Sequence, residues 1–246
     1  MEICSSNEII YFDRKSNEIP KHSGFIFLIG WRWLINPSKY TIVIHDSYLP
    51  KYRGFAPVVN SLINGERYLG VTALFASDEY DKGKIIYQNK IYIEYPLKVY
   101  DALELVSEQY VIIIIKILND IEKNIPIISF NQDESQSSYS VWRDEVDYQI
   151  DWNQNSQKIS RIIDALGFPF GGARSTINGC KCIIHESNII DDVNIESRSD
   201  NIGKVLFIKD KFPIVICGSG LLRIQKIVDS NGNSLLPLFK FRSRFC

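Results

Sequence analysis

Two short, uninterrupted apolar runs near the start of the chain constrain its fold more than any other feature. Phe25-Ile26-Phe27-Leu28-Ile29 ends at Gly30, and Thr41-Ile42-Val43-Ile44 ends at His45. Runs this short, rich in β-branched residues and without polar alternation, read as strands buried on both faces of a parallel sheet. Val71-Thr72-Ala73-Leu74-Phe75 and Ile85-Ile86-Tyr87 continue the series. Pro57 to Ile63 reads as a helix closed by Asn64-Gly65. From Val99 to about Glu122 the pattern is helical, with Ala102, Leu105, Val106, Val111, Ile114, Ile117, Leu118 and Ile121 at three- and four-residue steps. The first half is therefore expected to be α/β.

The second half has a different character. Asn131 to Ser140 is polar and aperiodic, as a linker is. A helical stretch near Gln157 to Leu166 precedes short β-like runs at Cys182–His185, Val205–Ile208, Ile214–Cys217 and Leu221–Val228. Turn signals such as Asn178-Gly179 and Asn231-Gly232-Asn233 separate them, which predicts a small barrel. The expected division is an α/β domain over 1–130, a linker over 131–150 and a β-barrel domain over 151–246.

Charge and cysteine content narrow the function classes. The chain has 246 residues and a net charge of −1. Residues 151–246 hold 13 Lys and Arg against 9 Asp and Glu, a modest +4. Neither value demands a nucleic-acid partner. Five cysteines, an odd number in a long chain, argue for reduced thiols in the cytoplasm. The N-terminus carries no secretory signal, and the longest apolar run, Val111 to Ile115, is too short to cross a bilayer. Cys180-x-Cys182 with His185 is not a metal set, because on a strand His185 faces away from the cysteines. Gly218-Ser219-Gly220 reads as a turn, not a phosphate loop.

His45 is the best candidate for chemistry. It sits at a strand end, where open α/β sheets place their ligands. The segment Asp78-Glu79-Tyr80-Asp81-Lys82-Gly83 follows the strand Val71 to Phe75, and in a parallel sheet it would emerge at the same edge as His45. A carboxylate beside an imidazole positions a general base and stabilises its charged form.

The block His45-Asp46-Ser47-Tyr48-Leu49-Pro50-Lys51-Tyr52-Arg53-Gly54-Phe55-Ala56-Pro57 resembles the signature loop of the N10-formyltetrahydrofolate-dependent formyltransferases. Asn64-Gly65-Glu66, Gly70-Val71-Thr72 and Asp81-Lys82-Gly83 follow in that family's order. The linker from Asn131 with Ile150-Asp151-Trp152 is similar to the crossing into its C-terminal domain, and Gly167 to Ala173 and Cys217 to Leu221 are similar to weaker landmarks there. The resemblance implies a Rossmann-like domain followed by an OB-like barrel. It implies 10-formyltetrahydrofolate as co-substrate, no metal, and His45 and Asp81 as catalytic residues. It also places Arg32, Leu34, Ser77 and Asp78 on the folate side, with Trp31 and Trp33 beside the pterin. Two departures stand out. The family's catalytic Asn, two residues before the His, is Val43 here. A β–α–β unit of roughly 30 residues should precede the strand at Phe25, yet only Met1 to Ser23 do. The start reads as clipped, and the exposed sheet edge that would result predicts a homodimer or poor solubility.

Three acceptor readings follow from the resemblance. A nucleotide-linked amino sugar, for example a dTDP-4-amino-4,6-dideoxyhexose of surface polysaccharide or lipopolysaccharide biosynthesis, needs only a few cations for its diphosphate, and Lys51 and Arg53 are expected to supply them. Methionyl-tRNA needs a strongly basic face, which the charge does not provide, although the Lys51-Tyr52-Arg53 loop resembles that branch equally. A non-catalytic family member is the third reading.

Overall fold

The computed structural model describes residues 2–10, 24–31, 33, 40–238 and 240–246. After a short helix α1 (Glu2–Ser6), strands β1 (Ile26–Ile29) and β2 (Thr41–His45) pair in parallel, from Ile26 opposite Thr41 to Ile29 opposite Ile44. A two-residue strand β3 (Arg53–Gly54) leads into helix α2 (Pro57–Asn64). Pro57 opens α2 where a missing N–H costs nothing, and Gly65 closes it at φ 74°.

Strands β4 (Tyr68–Phe75) and β5 (Ile85–Tyr92) complete a sheet of order β1-β2-β4-β5. Here the expected all-parallel arrangement is corrected. The β4 strand runs antiparallel to β2, with His45 opposite Thr72 and Ile42 opposite Phe75, and β5 is antiparallel to β4. The sheet is mixed, and β4 ends at the far end of β2 from His45. An apolar run buried on both faces carries no direction, so sequence pattern alone does not separate the two pairings.

Helix α3 (Val99–Glu122) packs on β4 and β5 through Val99, Ala102, Val106, Ile113 and Ile117. Val111 and Leu118, expected on the buried face, are exposed. The run Val111 to Ile115 is apolar all round, so periodicity there does not select a face.

The polar stretch after Asn131 is docked rather than loose. A 3-10 turn (Glu134–Gln136), capped by the Asp133 side chain, leads into β6 (Tyr139–Ser140), which pairs in parallel with β3. Helix α4 (Ser156–Ala165) follows, and its first turn is capped by Asn155 accepting the Lys158 N–H at 2.7 Å. Arg161 of α4 donates to the Ile63 carbonyl of α2 at 3.1 Å, joining the two halves.

Strands β7 (Ala173–Ile177) and β8 (Cys180–Ile190), a one-turn helix α5 (Arg198–Asn201), β9 (Val205–Lys209), β10 (Phe212–Ile216) and β11 (Leu221–Asp229) build an antiparallel sheet of order β7-β8-β11-β10-β9. The last residues close it. Phe245 bridges Ile177 at one edge, while Arg244 bridges Lys204 at the other. Phe245 is 1% exposed and its ring lies 5.2 Å from that of Trp152. Phe245→Ala should therefore cost about 3–5 kcal/mol, the usual range for emptying a buried phenyl site. Urea denaturation checks this, and a loss under about 1 kcal/mol would mean the closing segment carries little of the barrel's stability.

Candidate active site

The loop after His45 is held rigidly from several sides. Thr72 Oγ1 donates to the Ser47 carbonyl at 2.7 Å and accepts the Leu49 N–H at 3.2 Å. Gln88 donates to the Leu49 carbonyl at 2.8 Å, and Ser47 Oγ donates to that of Lys51 at 2.6 Å. The chain then turns so that the Tyr52 carbonyl accepts from His45 Nε2 at 2.8 Å. A carbonyl only accepts, so Nε2 carries a hydrogen and Nδ1 is the basic nitrogen of the neutral ring. Nδ1 lies 3.6 Å from Asp81 Oδ2. That is ion-pair range, beyond a proper hydrogen bond. The lone pair of Nδ1 is therefore the free one, and it lies on the side of the ring that Asp81 approaches.

Asp81 reaches His45 by a route other than the one expected. The β4 strand ends away from His45, and the loop 76–84 runs back along the sheet. Its return depends on Gly83, where a Cβ would lie 1.7 Å from the Phe75 carbonyl oxygen. Asp81 itself has φ 54°, and its Oδ2 accepts the Gly54 N–H at 2.8 Å. Gln132 Nε2 donates to the Asp81 and Gly83 carbonyls at 2.6 and 2.8 Å.

The pair opens onto a cavity of about 440 Å³, within the usual range for small-molecule sites. Val43, Asp46 and Ser77 line it, together with Trp31 and Trp33, whose rings meet edge to face at 5.2 Å. Asp78 and Lys51 do not line it. Arg32 and Leu34 lie outside the described residues. The expectation for Arg53 is corrected. Arg53 is 0% exposed, with Nη2 2.7 Å from Glu134 and 2.8 Å from Gln132. The Glu134 hydrogen bond raises the Arg53 pKa and lowers that of Glu134. This guanidinium holds the fold together and does not face the cavity.

Among the lining residues that sequence reasoning did not assign to the site are Asp46, Tyr148 and Arg143. Asp46 lies within the block that carries the resemblance but has no role assigned there, and Arg143, from the segment after β6, belongs to no pattern that marks it out. Elsewhere, burial pushes the Cys182 and Cys217 thiols up to about 12, which removes them as thiolate ligands or nucleophiles. Among the described residues no group of three or more His, Cys, Asp or Glu is arranged to hold a metal, and no helix is long and apolar enough to cross a membrane.

Two sequence profiles match the chain. One, described as formyl transferase, covers residues 19–115, and the other, formyl transferase C-terminal domain, covers 144–237. The chain belongs to the formyl transferase family. Among its sequence relatives is a methionyl-tRNA formyltransferase of Syntrophomonas wolfei, 29% identical over 209 residues, covering 85% of this chain. The chain spans 65% of that relative's length. WlaRD, a sugar 3N-formyl transferase crystallised in the presence of dTDP and 5-N-formyl-THF, shares the fold at a TM-score of 0.64 and 23% identity, over 82% of this chain and 72% of its own. The methionyl-tRNA formyltransferase of Clostridium thermocellum gives 0.52 and 17%, over 67% and 72%. Within this formyl transferase fold, His45, Asp81 and Val43 stand around one cavity.

Asp46 supplies a pH test of the site. Burial raises its carboxyl pKa above 3.8, His45 opposes the rise and Asp81 adds to it. The folded state therefore holds this proton more tightly than the unfolded state. That contribution favours folding below about 3.8 and is lost as pH rises through the folded value. Relative to the parent, Asp46→Asn should be more stable at pH 7 than at pH 4. Thermal melts at the two pH values check this, and an equal offset at both would show that the carboxyl titrates normally.

Proposed function

We propose that this chain transfers a formyl group from 10-formyltetrahydrofolate to the primary amine of a nucleotide-linked amino sugar in surface-polysaccharide biosynthesis. The observation that carries the transfer is the placement of His45 Nδ1 beside Asp81 on the wall of a largely apolar cavity. Trp31, Trp33, Leu28 and Val43 give that cavity the flat and aliphatic surface a pterin needs. The bound folate supplies an activated formyl group on N10. The neutral amine forms the new C–N bond to the formyl carbon, the C–N10 bond breaks, and one proton passes from the amine to N10. His45 takes that proton at Nδ1, Asp81 stabilises the imidazolium, and His45 returns the proton to the leaving nitrogen. No Lewis acid is required by this route.

The modest charge supports a sugar nucleotide over tRNA. A net of −1 does not provide the broad basic face that many phosphate contacts require. The sequence relatives favour the second reading, methionyl-tRNA as acceptor. The free cysteines agree with a reducing cytoplasm. Among the described residues β1 pairs only with β2, and we propose that a second copy covers its other edge.

The deciding assay compares formyl transfer to dTDP-amino sugars with transfer to charged initiator tRNA. Transfer to the sugar is expected, and activity on tRNA alone would reverse the assignment. Asp81→Ala should remove most activity, and full activity in that variant would mean the base is misassigned. Val43 offers no hydrogen bond to the developing oxyanion. Val43→Asn should raise kcat toward the about 10²-fold that one such donor is worth, instead of only lowering KM. An unchanged kcat would mean another group already fills that role. No activity together with no folate binding would point to a non-catalytic member.

A further inference from the structure

The nucleotide-sugar reading demands a cation for the acceptor's diphosphate, and neither residue first expected to supply it is in place. Arg53 is fully buried on Glu134 and Gln132, and Lys51 lies outside the cavity. Among the described residues that line the cavity, Arg143 is the one arginine or lysine. We propose that Arg143 is the anion anchor of the acceptor subsite and holds the diphosphate of a nucleotide-linked acceptor. This inference rests on the nucleotide-sugar reading given above.

The surroundings of Arg143 fit a group kept for a ligand. Arg53, Arg174 and Arg198 are each paired with a carboxylate: Glu134, Glu145 and Asp192. Arg143 has no carboxylate partner among the described residues, a state it shares with Arg161, Arg223 and Arg244, but of these it is the one that lines the cavity. Its Nη2 donates to Asn60 Oδ1 at 2.5 Å. Asn60 is itself fixed, because its Nδ2 donates to the Ala56 and Val141 carbonyls at 2.9 and 3.3 Å. With its amide hydrogens spent on those carbonyls, Asn60 must turn its oxygen to Arg143 and hold the guanidinium in one orientation. Arg143 Nε is shielded from solvent and has no hydrogen-bond partner. A buried, unmatched N–H on a charged group is costly inside a fold, and a nearby anion offsets that cost through the charge of the guanidinium as a whole.

The cavity lining carries both signs of charge. Asp81 lies beside His45, Glu79 is paired with Lys82, and Arg143 is the positive charge of the lining. An amino sugar joined to a diphosphate carries the opposite pair, an amine and an anion on one rigid ring. Asp81 repels the phosphates and can accept a hydrogen bond from the amine, while Arg143 attracts the phosphates. The acceptor is thereby oriented with its amine toward His45 before any contact specific to the sugar is made.

The glutamate tail of the folate is the other anion that could use Arg143, and titration separates the two. Binding of dTDP, of tetrahydrofolate and of tetrahydrofolate triglutamate would be measured for the parent, Arg143→Lys and Arg143→Gln. The Gln variant should bind dTDP about 10–100-fold more weakly, the loss expected for a charge-assisted hydrogen bond, with Lys in between. Both folates should stay within about twofold of the parent, which also reports that the variants fold. Equal dTDP affinity in the parent and the Gln variant would overturn the anchor while leaving the nucleotide-sugar reading standing. A loss confined to the triglutamate would assign Arg143 to the folate instead. A parent that binds folate but no dTDP would overturn the nucleotide-sugar reading, and the anchor with it.

Discussion

The arrangement of the site depends on one buried cation. Arg53 sits at the end of the loop that follows His45, with its guanidinium out of solvent and in contact with Gln132 and Glu134 from a segment about 80 residues later. A buried guanidinium is tolerated only when its donors are matched, so the later segment has to dock there. Docking brings β6 against β3 and leaves the Gln132 amide facing the loop 76–84. That amide holds the Asp81 and Gly83 carbonyls, while the Gly54 N–H holds the Asp81 carboxylate. The residue that orients Asp81 toward His45 is therefore not in the cavity at all. Its influence passes through Gln132 and through the backbone of its own neighbour, Gly54.

This explains how a mixed sheet delivers a carboxylate to a strand end that its own strand leaves behind. A parallel β4 would have released Asp81 beside His45 directly. With β4 antiparallel, the loop must double back, and two local features allow it: close backbone contact at Gly83 and a left-handed turn at Asp81. The left-handed conformation is uncommon for residues other than glycine, and it is held here by hydrogen bonds on both the side chain and the carbonyl of Asp81. The cost is local, and the result is a carboxylate fixed close to an imidazole whose other nitrogen is already committed to Tyr52.

Much of this was legible in the sequence, for identifiable reasons. The runs at Phe25 and Thr41, the helix from Val99 to Glu122 and the β-rich second half announce themselves through periodicity and turn residues, which are local signals. The proximity of His45 and Asp81 was also expected, although for the wrong topological reason. What local signals lack is direction and distant partners. Nothing around Arg53 indicates that Glu134 will neutralise it, and a Lys-Tyr-Arg loop beside a candidate histidine reads naturally as a cationic subsite. Arg143 was overlooked for the converse reason. It stands among Asp144, Glu145 and Asp147, where a solvated ion pair is the ordinary reading, and only the fold turns it toward Asn60 and the cavity.

The cavity wall is built from two stretches of chain that differ in how they are held. His45, Asp81 and Val43 come from the α/β half, whereas Arg143, Tyr148 and Phe170 come from the connecting segment and the start of the barrel half. The first group is set by a sheet, a buried guanidinium and short hydrogen bonds to backbone groups. The second group lies on irregular backbone between elements, which tolerates substitution more readily. In this chain the connecting segment places Arg143 on the cavity wall, with its Nη2 bonded to Asn60 of α2, so the two halves are joined by this polar contact as well as by the Arg161–Ile63 bond.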